Sequence, residues 1–112
     1  MREDGKIDYV EQPGGNLPAL KAFYSSAFGW SFTDYGPDYA AYSEGLDGGF
    51  DADGAGPKVP MVILYAKDLE AMQAKVRAAG GVITRPIFDF PGGRRFQFRD
   101  PAGNELGVWS EL

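Results

Sequence analysis

NLPALKAFYSSAFG, residues 16–29, opens on a residue that caps helices and closes on one that stops them. Asn16 can offer its side-chain oxygen to the free N–H groups of a first turn, and Pro18 is tolerated there. Leu20, Phe23, Tyr24, Ala27 and Phe28 recur at helical spacing and form one apolar face. Gly29 suits the left-handed residue that ends a helix. DLEAMQAKVRAAGG, residues 68–81, repeats the plan. Asp68 is the cap, Leu69, Met72, Val76 and Ala79 share a face, and Gly80-Gly81 is the stop. Asn16 and Asp68 stand 52 residues apart, as do Gly29 and Gly81, and a Leu follows each cap. The same offset at both helix ends marks an internal repeat.

The flanking segments repeat in the same order. Ile7–Gln12 alternates and stops at Pro13-Gly14-Gly15, a strand before the first helix. Trp30–Asp34, Tyr39–Glu44 and a short Gly48–Phe50 read as strands after it, with Gly36-Pro37-Asp38 a turn. Asp51–Pro57 is rich in Gly, Asp and Pro and reads as a linker. The second half gives strands at Pro60–Ala66, Val82–Arg85, Arg94–Arg99 and Glu105–Trp109, with Phe90–Gly93 a turn. The pattern predicts an α+β fold of two tandem βαβββ modules, one helix per module, forming cupped mixed sheets. The expected organisation is a single domain over 1–112: module one at about 5–50, a linker at about 51–58, and module two at about 59–112.

Composition narrows the function classes. The 112 residues suit one domain with a real core, and the net charge of −5 argues against a polyanionic partner such as nucleic acid. The N-terminus, MREDGKIDYV, lacks the apolar core of a signal peptide, and no apolar run approaches a membrane span. The absence of Cys fits a cytoplasmic chain. The absence of His excludes imidazole-based catalysis and imidazole metal sites. Gly45–Gly49 is no phosphate loop, because no Lys-Ser/Thr follows and no helix starts there. Asp47–Asp53 is acidic but lacks the closing Glu and flanking helices of a calcium loop.

The two modules, AFYSSAFGW at residues 22–30 and RDPAGNELGVW at 99–109 resemble the vicinal oxygen chelate superfamily over nearly the whole chain. That family includes glyoxalase I, bleomycin-resistance proteins, extradiol dioxygenases and fosfomycin-resistance transferases. The resemblance implies a cupped cavity holding a divalent metal on two His and one Glu. Carried over by position, those ligands fall on Tyr9, about Met61, and Gly107, and none of the three is a ligand. Glu105 lies two residues before Gly107 on the same strand. The turn before it has its own structural reason to exist, since Asp-Pro, Gly103 and Asn104 each favour a tight bend.

Strand alternation assigns the rest. If positions 9, 61 and 107 face the cavity, so do Glu11, Ile63, Tyr65, Glu105 and Trp109. Val10, Val62, Leu64, Leu106 and Val108 then face the helices, and all five are apolar. Phe96 and Phe98 should face the helix, leaving Arg95, Gln97 and Arg99 on the cavity side with Tyr39 and Ala41 from the first module. The predicted lining is therefore Tyr9, Glu11, Met61, Ile63, Tyr65, Arg95, Gln97 and Trp109. Aromatic walls with a few polar groups suit a small-molecule ligand. The same side chains could also simply fill the cup, with Arg95 and Glu11 as a structural ion pair. The expectation is a cytoplasmic, metal-free and cofactor-free small-molecule-binding protein, with no nucleic-acid or membrane partner. The alternative is a lyase or dioxygenase-type enzyme using Glu11 or Glu105 with Arg95. Trp30, Phe32, Tyr35 and Tyr39 suggest an aromatic surface and a homodimer.

Overall fold

The computed structural model describes residues 2–111. The elements run β1 (Ile7–Pro13), α1 (Leu17–Phe28), β2 (Thr33–Asp34), β3 (Tyr39–Glu44) and β4 (Leu46–Asp51), then β5 (Met61–Tyr65), α2 (Leu69–Ala78), β6 (Val82–Phe90), β7 (Gly93–Arg99) and β8 (Glu105–Glu111). This is the expected α+β fold, with a βαβββ order in each half and strand pairs of both directions. The described residues divide into two compact units. One is Tyr9–Met61; the other joins the residues up to Asp8 with those from Val62 onward. The N-terminal segment joins the later half through its backbone. The Gly5 N–H donates to the Tyr65 carbonyl (2.8 Å) and the Tyr65 N–H to the Lys6 carbonyl (3.1 Å). The Lys67 N–H also donates to the Asp4 carboxylate at 2.7 Å.

In the Tyr9–Met61 unit the strands are ordered β2-β3-β4-β1, with β1 parallel to β4 and the other pairs antiparallel. Leu17, Ala40 and Phe50 form the buried core, with Leu20, Tyr24, Trp30, Phe32 and Tyr42 against them. In the other unit the order is β5-β8-β7-β6, with β5 parallel to β8. Its core is Ala66, Leu69, Phe96 and Val108, joined by Leu64, Met72, Val76, Ile83, Ile87 and Phe98. Leu64, Phe96, Phe98 and Val108 therefore lie on the helix side, as strand parity predicts.

Both helix caps form at the expected positions. Asn16 accepts from the Ala19 N–H (3.1 Å) and Asp68 from the Ala71 N–H (3.0 Å). Gly29 closes α1 at φ 74°. The repeat slips at the second stop: α2 ends at Ala78, Ala79 caps it, and Gly80 rather than Gly81 takes the positive φ. The apolar face of α1 is also narrower than its spacing suggests. Leu17, Leu20 and Tyr24 pack inward, whereas Phe23 and Phe28 are more than half exposed.

Three strand assignments change. Trp30 and Phe32 lie outside β2, because Trp30 turns back to stack on Tyr24, ring centroids 4.7 Å apart. The Ser25 hydroxyl donates to the Trp30 carbonyl and holds that bend. β4 is longer than Gly48–Phe50 and reaches Asp51, the first residue of the expected linker. Beyond it the Asp51 and Asp53 carboxylates accept from the N–H groups two residues on, forming successive local turns. β6 does not stop at Arg85 but continues through Pro86 to Phe90. It is the last strand in the order, where proline is tolerated, and its pairing with β7 slips between Ile83 and Arg85 and again between Arg85 and Phe88.

Candidate functional site

In the unit built on β5–β8, the face opposite the α2 core is read off from register. One row runs Phe88, Arg95, Trp109 and Tyr65; the next runs Arg85, Gln97, Gly107 and Ile63. Five of the expected lining residues, Ile63, Tyr65, Arg95, Gln97 and Trp109, thus share one face. Gly107 stands between Gln97 and Ile63 and contributes no side chain. Arg85, Phe88 and Phe90 join that face from β6 and were missed in the sequence. Their signal was hidden by the two register shifts, which break simple alternation.

Polar contacts order this face. Arg95 Nη2 donates to Gln97 Oε1 (3.2 Å), and Gln97 Nε2 donates to Glu105 Oε2 (3.4 Å). The Thr84 hydroxyl also donates to Glu105 Oε2 at 2.7 Å, so this exposed carboxylate already has two donors. Trp109 Nε1 donates to Asp8 Oδ2 at 2.9 Å, and Arg2 pairs with the same oxygen while lying 4.9 Å over the indole. Tyr65 meets Trp109 edge to face and donates to Glu111 at 2.5 Å. That hydrogen bond, helped by burial, pushes the Tyr65 phenol up. Arg94, next to Arg95 in sequence, points the other way and grips Glu70 of α2 with two nitrogens, at 2.6 and 3.0 Å. The guanidinium holds the Glu70 carboxyl down at about 2.

The Tyr9–Met61 unit carries a second polar constellation. The Tyr39 hydroxyl donates to Glu11 Oε2 at 3.2 Å and sits 2.5 Å from the Tyr9 hydroxyl. With Tyr39 donating to the carboxylate, its oxygen accepts from Tyr9, giving a chain Tyr9 → Tyr39 → Glu11. Tyr39 is on β3 and its partners on β1, so its ring must pass over β4 between them. Gly49 of β4 makes this possible: a Cβ there would collide with the Tyr39 ring, 2.5 Å from Cε1 and 2.6 Å from Cζ. Gly48 plays the same part on the other face, where Tyr42 crosses β4 and donates to Gln12 Oε1 at 2.5 Å. Glu11 is buried at 6% exposure. Burial pushes the Tyr9 phenol up to about 12, and burial and then the Glu11 charge raise the Tyr39 phenol further. Met61, the last expected lining residue, belongs to this unit and is buried.

The turn at Asp100–Asn104 is self-contained. Asp100 Oδ1 accepts from the N–H groups of Ala102 and Asn104, both at 2.9 Å, and Oδ2 from the Asn104 amide at 3.0 Å. The Asn104 bonds hold the Asp100 carboxyl below its usual range. Gly103 supplies the positive φ of 89°. The carboxylate therefore serves the bend itself.

The donor chemistry does not fit the divalent metal that the resemblance implies. Gly107 has no side chain, Met61 offers a buried thioether, and Tyr9 is a neutral phenol committed to Tyr39. Hard divalent ions take oxygen anions, and a thioether and a neutral phenol are poor substitutes. Among the described residues no group of three or more Asp or Glu is placed to hold a metal. No helix among the described residues is long and apolar enough to cross a membrane.

The profile described as Glyoxalase/Bleomycin resistance protein/Dioxygenase superfamily matches residues 6–108. Proteins of Mycobacterium tuberculosis and Mycobacterium bovis named "Putative glyoxylase CFP32" are 27% identical over 118 residues. The match covers 94% of this chain but 45% of theirs, so the chain spans about half the length of these relatives. A Legionella pneumophila chain described as an NAD-dependent benzaldehyde dehydrogenase superposes with TM-score 0.77 at 14% identity, over 93% of this chain and 98% of its own. The Mn(II)-bound glyoxalase from Novosphingobium aromaticivorans superposes with TM-score 0.68 at 23% identity, over 98% of this chain and 40% of its own. At such identities these structures share the fold alone.

Proposed function

The chain belongs to the Glyoxalase/Bleomycin resistance protein/Dioxygenase superfamily, and from that premise we propose that it is a metal-free member that binds a small organic molecule. The observation that carries the reading is the sheet face around Gly107. Trp109 and Phe88 stand half-buried on it with Tyr65 and Ile63 buried beside them, and Arg95 and Gln97 supply directed polar groups on the same face. A few oriented polar groups among aromatic walls is the general make-up of a small-molecule site. The ligand is held by stacking and hydrogen bonding, with no ion to orient it. No cofactor is needed for this. We place the protein in the cytoplasm, on its lack of cysteine, without a nucleic-acid or membrane partner.

The assembly we propose is a homodimer. Phe23 and Phe28 stand exposed on α1 with ring centroids 6.2 Å apart, and exposed apolar surface of this kind favours association. A symmetric pair is the commonest outcome. This basis differs from the aromatic cluster in the sequence: Trp30 and Phe32 are used in the core, and only Tyr35 of that group is strongly exposed.

The Tyr9 → Tyr39 → Glu11 chain supports an enzyme as the second reading. A buried carboxylate at the end of a hydrogen-bonded phenol chain can act as a general base through it. Glu105 is the weaker candidate, being exposed and already holding Thr84 and Gln97. A thermal-shift screen against metals and small metabolites tests the main reading. Stabilisation by an organic molecule without metal supports it, because a ligand that binds only the folded state raises the melting temperature. Stabilisation by divalent metals alone contradicts it.

A further inference from the structure

Arg85 holds an unusual position for an exposed cation. Its guanidinium carbon lies 3.5 Å from the centre of the Phe88 ring. Arg85 and Phe88 are three residues apart, and regular alternation would put them on opposite faces of β6. The register shift between Arg85 and Phe88 undoes this, and the one between Ile83 and Arg85 turns Arg85 away from the face of Ile83. Arg85 pairs with Gln97 and Phe88 with Arg95, and Gln97 and Arg95 share one face of β7. Ile83 and Ile87 meanwhile still reach the α2 core. The strand thus gains residues in a way that sets a cation over an aromatic ring beside Gln97. Bulges of this type re-aim side chains and concentrate near functional sites.

Arg85 shares its lack of an ion pair among the described residues with Arg77 and Arg99, but of these three it alone lies over an aromatic ring. No described carboxylate pairs with it, whereas Arg94 is bound to Glu70 and Arg2 to Asp8. Arg95 approaches the same Phe88 ring at 5.5 Å, so two guanidinium groups converge on one aromatic in a chain of net charge −5. Stacking occupies the flat face of a guanidinium and leaves its edge N–H fork open for two parallel hydrogen bonds. A stacked side chain has also lost part of the freedom that binding would otherwise cost.

We infer that Arg85, stacked on Phe88, is the anion anchor of the site, and that it takes the carboxylate or phosphate of a small planar organic acid. This rests on the small-molecule reading above and adds the ligand's chemical class. The acid group sits on the edge of Arg85, and the planar part extends over the face toward Gly107.

Calorimetric titration with benzoate, phenyl phosphate and neutral benzamide tests it, on the wild-type chain and on Arg85→Ala, Arg85→Lys, Arg85→Met and Arg94→Ala. Expected is binding of the two acids at least fivefold tighter than benzamide, weakened as salt rises. Arg85→Ala and Arg85→Met should lose most of that preference, Arg85→Lys should keep part of it, and Arg94→Ala should keep all of it. Met still covers the ring, so Met binding as well as Arg would make the stack a mere cover and overturn the inference. Equal binding of benzoate and benzamide would overturn the inference while leaving the small-molecule reading standing. Binding of none of the three at millimolar concentration would overturn both.

Discussion

Tyr39 on β3 donates to Glu11 on β1 across the width of β4, with Oη and Oε2 3.2 Å apart. The span covers two strand spacings, roughly 10 Å, and the ring fills it only because Gly49 presents no side chain. Gly49→Ala should therefore cost about 1–3 kcal/mol, the usual scale for overpacking a fitted site. Most of that cost should vanish in a Tyr39→Ala background, because the two positions share one volume. Denaturant unfolding of the four chains gives the coupling; equal costs in both backgrounds would show that the ring does not lie over Gly49.

The phenol chain also sets an alkaline limit. An unperturbed Tyr ionises near pH 10, and Tyr9 is pushed up to about 12 by burial. A folded-state value above the unfolded one favours folding fully below about pH 10, and this is lost as pH rises through about 12. Stability should be flat in neutral buffer and fall over that window, less steeply in Tyr9→Phe. Tyrosinate absorbance followed with unfolding checks it: ionisation of every Tyr near pH 10 in the folded chain would contradict the buried network.

Much of this was legible in the sequence. Caps and apolar spacing placed both helices, and the repeat predicted the βαβββ order. Parity put Phe96, Phe98, Leu64 and Val108 on the helix side because a one-residue slip would expose all of them. What escaped were long-range effects. Pro86 hides the continuation of β6, and its two register shifts carry Arg85 and Phe88 to an unexpected common face. Trp30 and Phe32 alternate like strand residues, but stacking on Tyr24 draws Trp30 into the core. Gly48-Gly49 read only as the start of a short strand. Its role appears only once β3 supplies a tyrosine to each face.

Arg94 and Arg95 are adjacent and should behave oppositely. Arg95→Ala should weaken an anionic ligand by about tenfold or more, the scale of losing a charge-assisted bond. Arg94→Ala should leave binding alone and instead release Glu70. Glu70 now titrates at about 2 and should return toward about 4.3. The sign follows: a depressed carboxyl stabilises the fold above its unfolded value and loses that contribution as pH falls through about 2. Carboxyl NMR titration of both variants separates the two roles. Similar small binding effects from both would show that the face assignment is wrong.

Sedimentation at micromolar concentration should give twice the 12.1 kDa chain mass. Phe23→Glu with Phe28→Glu should shift the chain toward monomer, since a charge on an apolar contact must be desolvated to pair. A wild-type mass of one chain would rule out the proposed dimer.

The central claim is that the site binds an organic ligand without a metal. It is tested most directly by titrating ligand into protein stripped with EDTA, alongside elemental analysis of the untreated protein. The account predicts the same affinity before and after stripping, with far less than one equivalent of zinc, iron, nickel or manganese per chain. Near-stoichiometric metal, or binding that vanishes with EDTA and returns when a divalent ion is added, would contradict it.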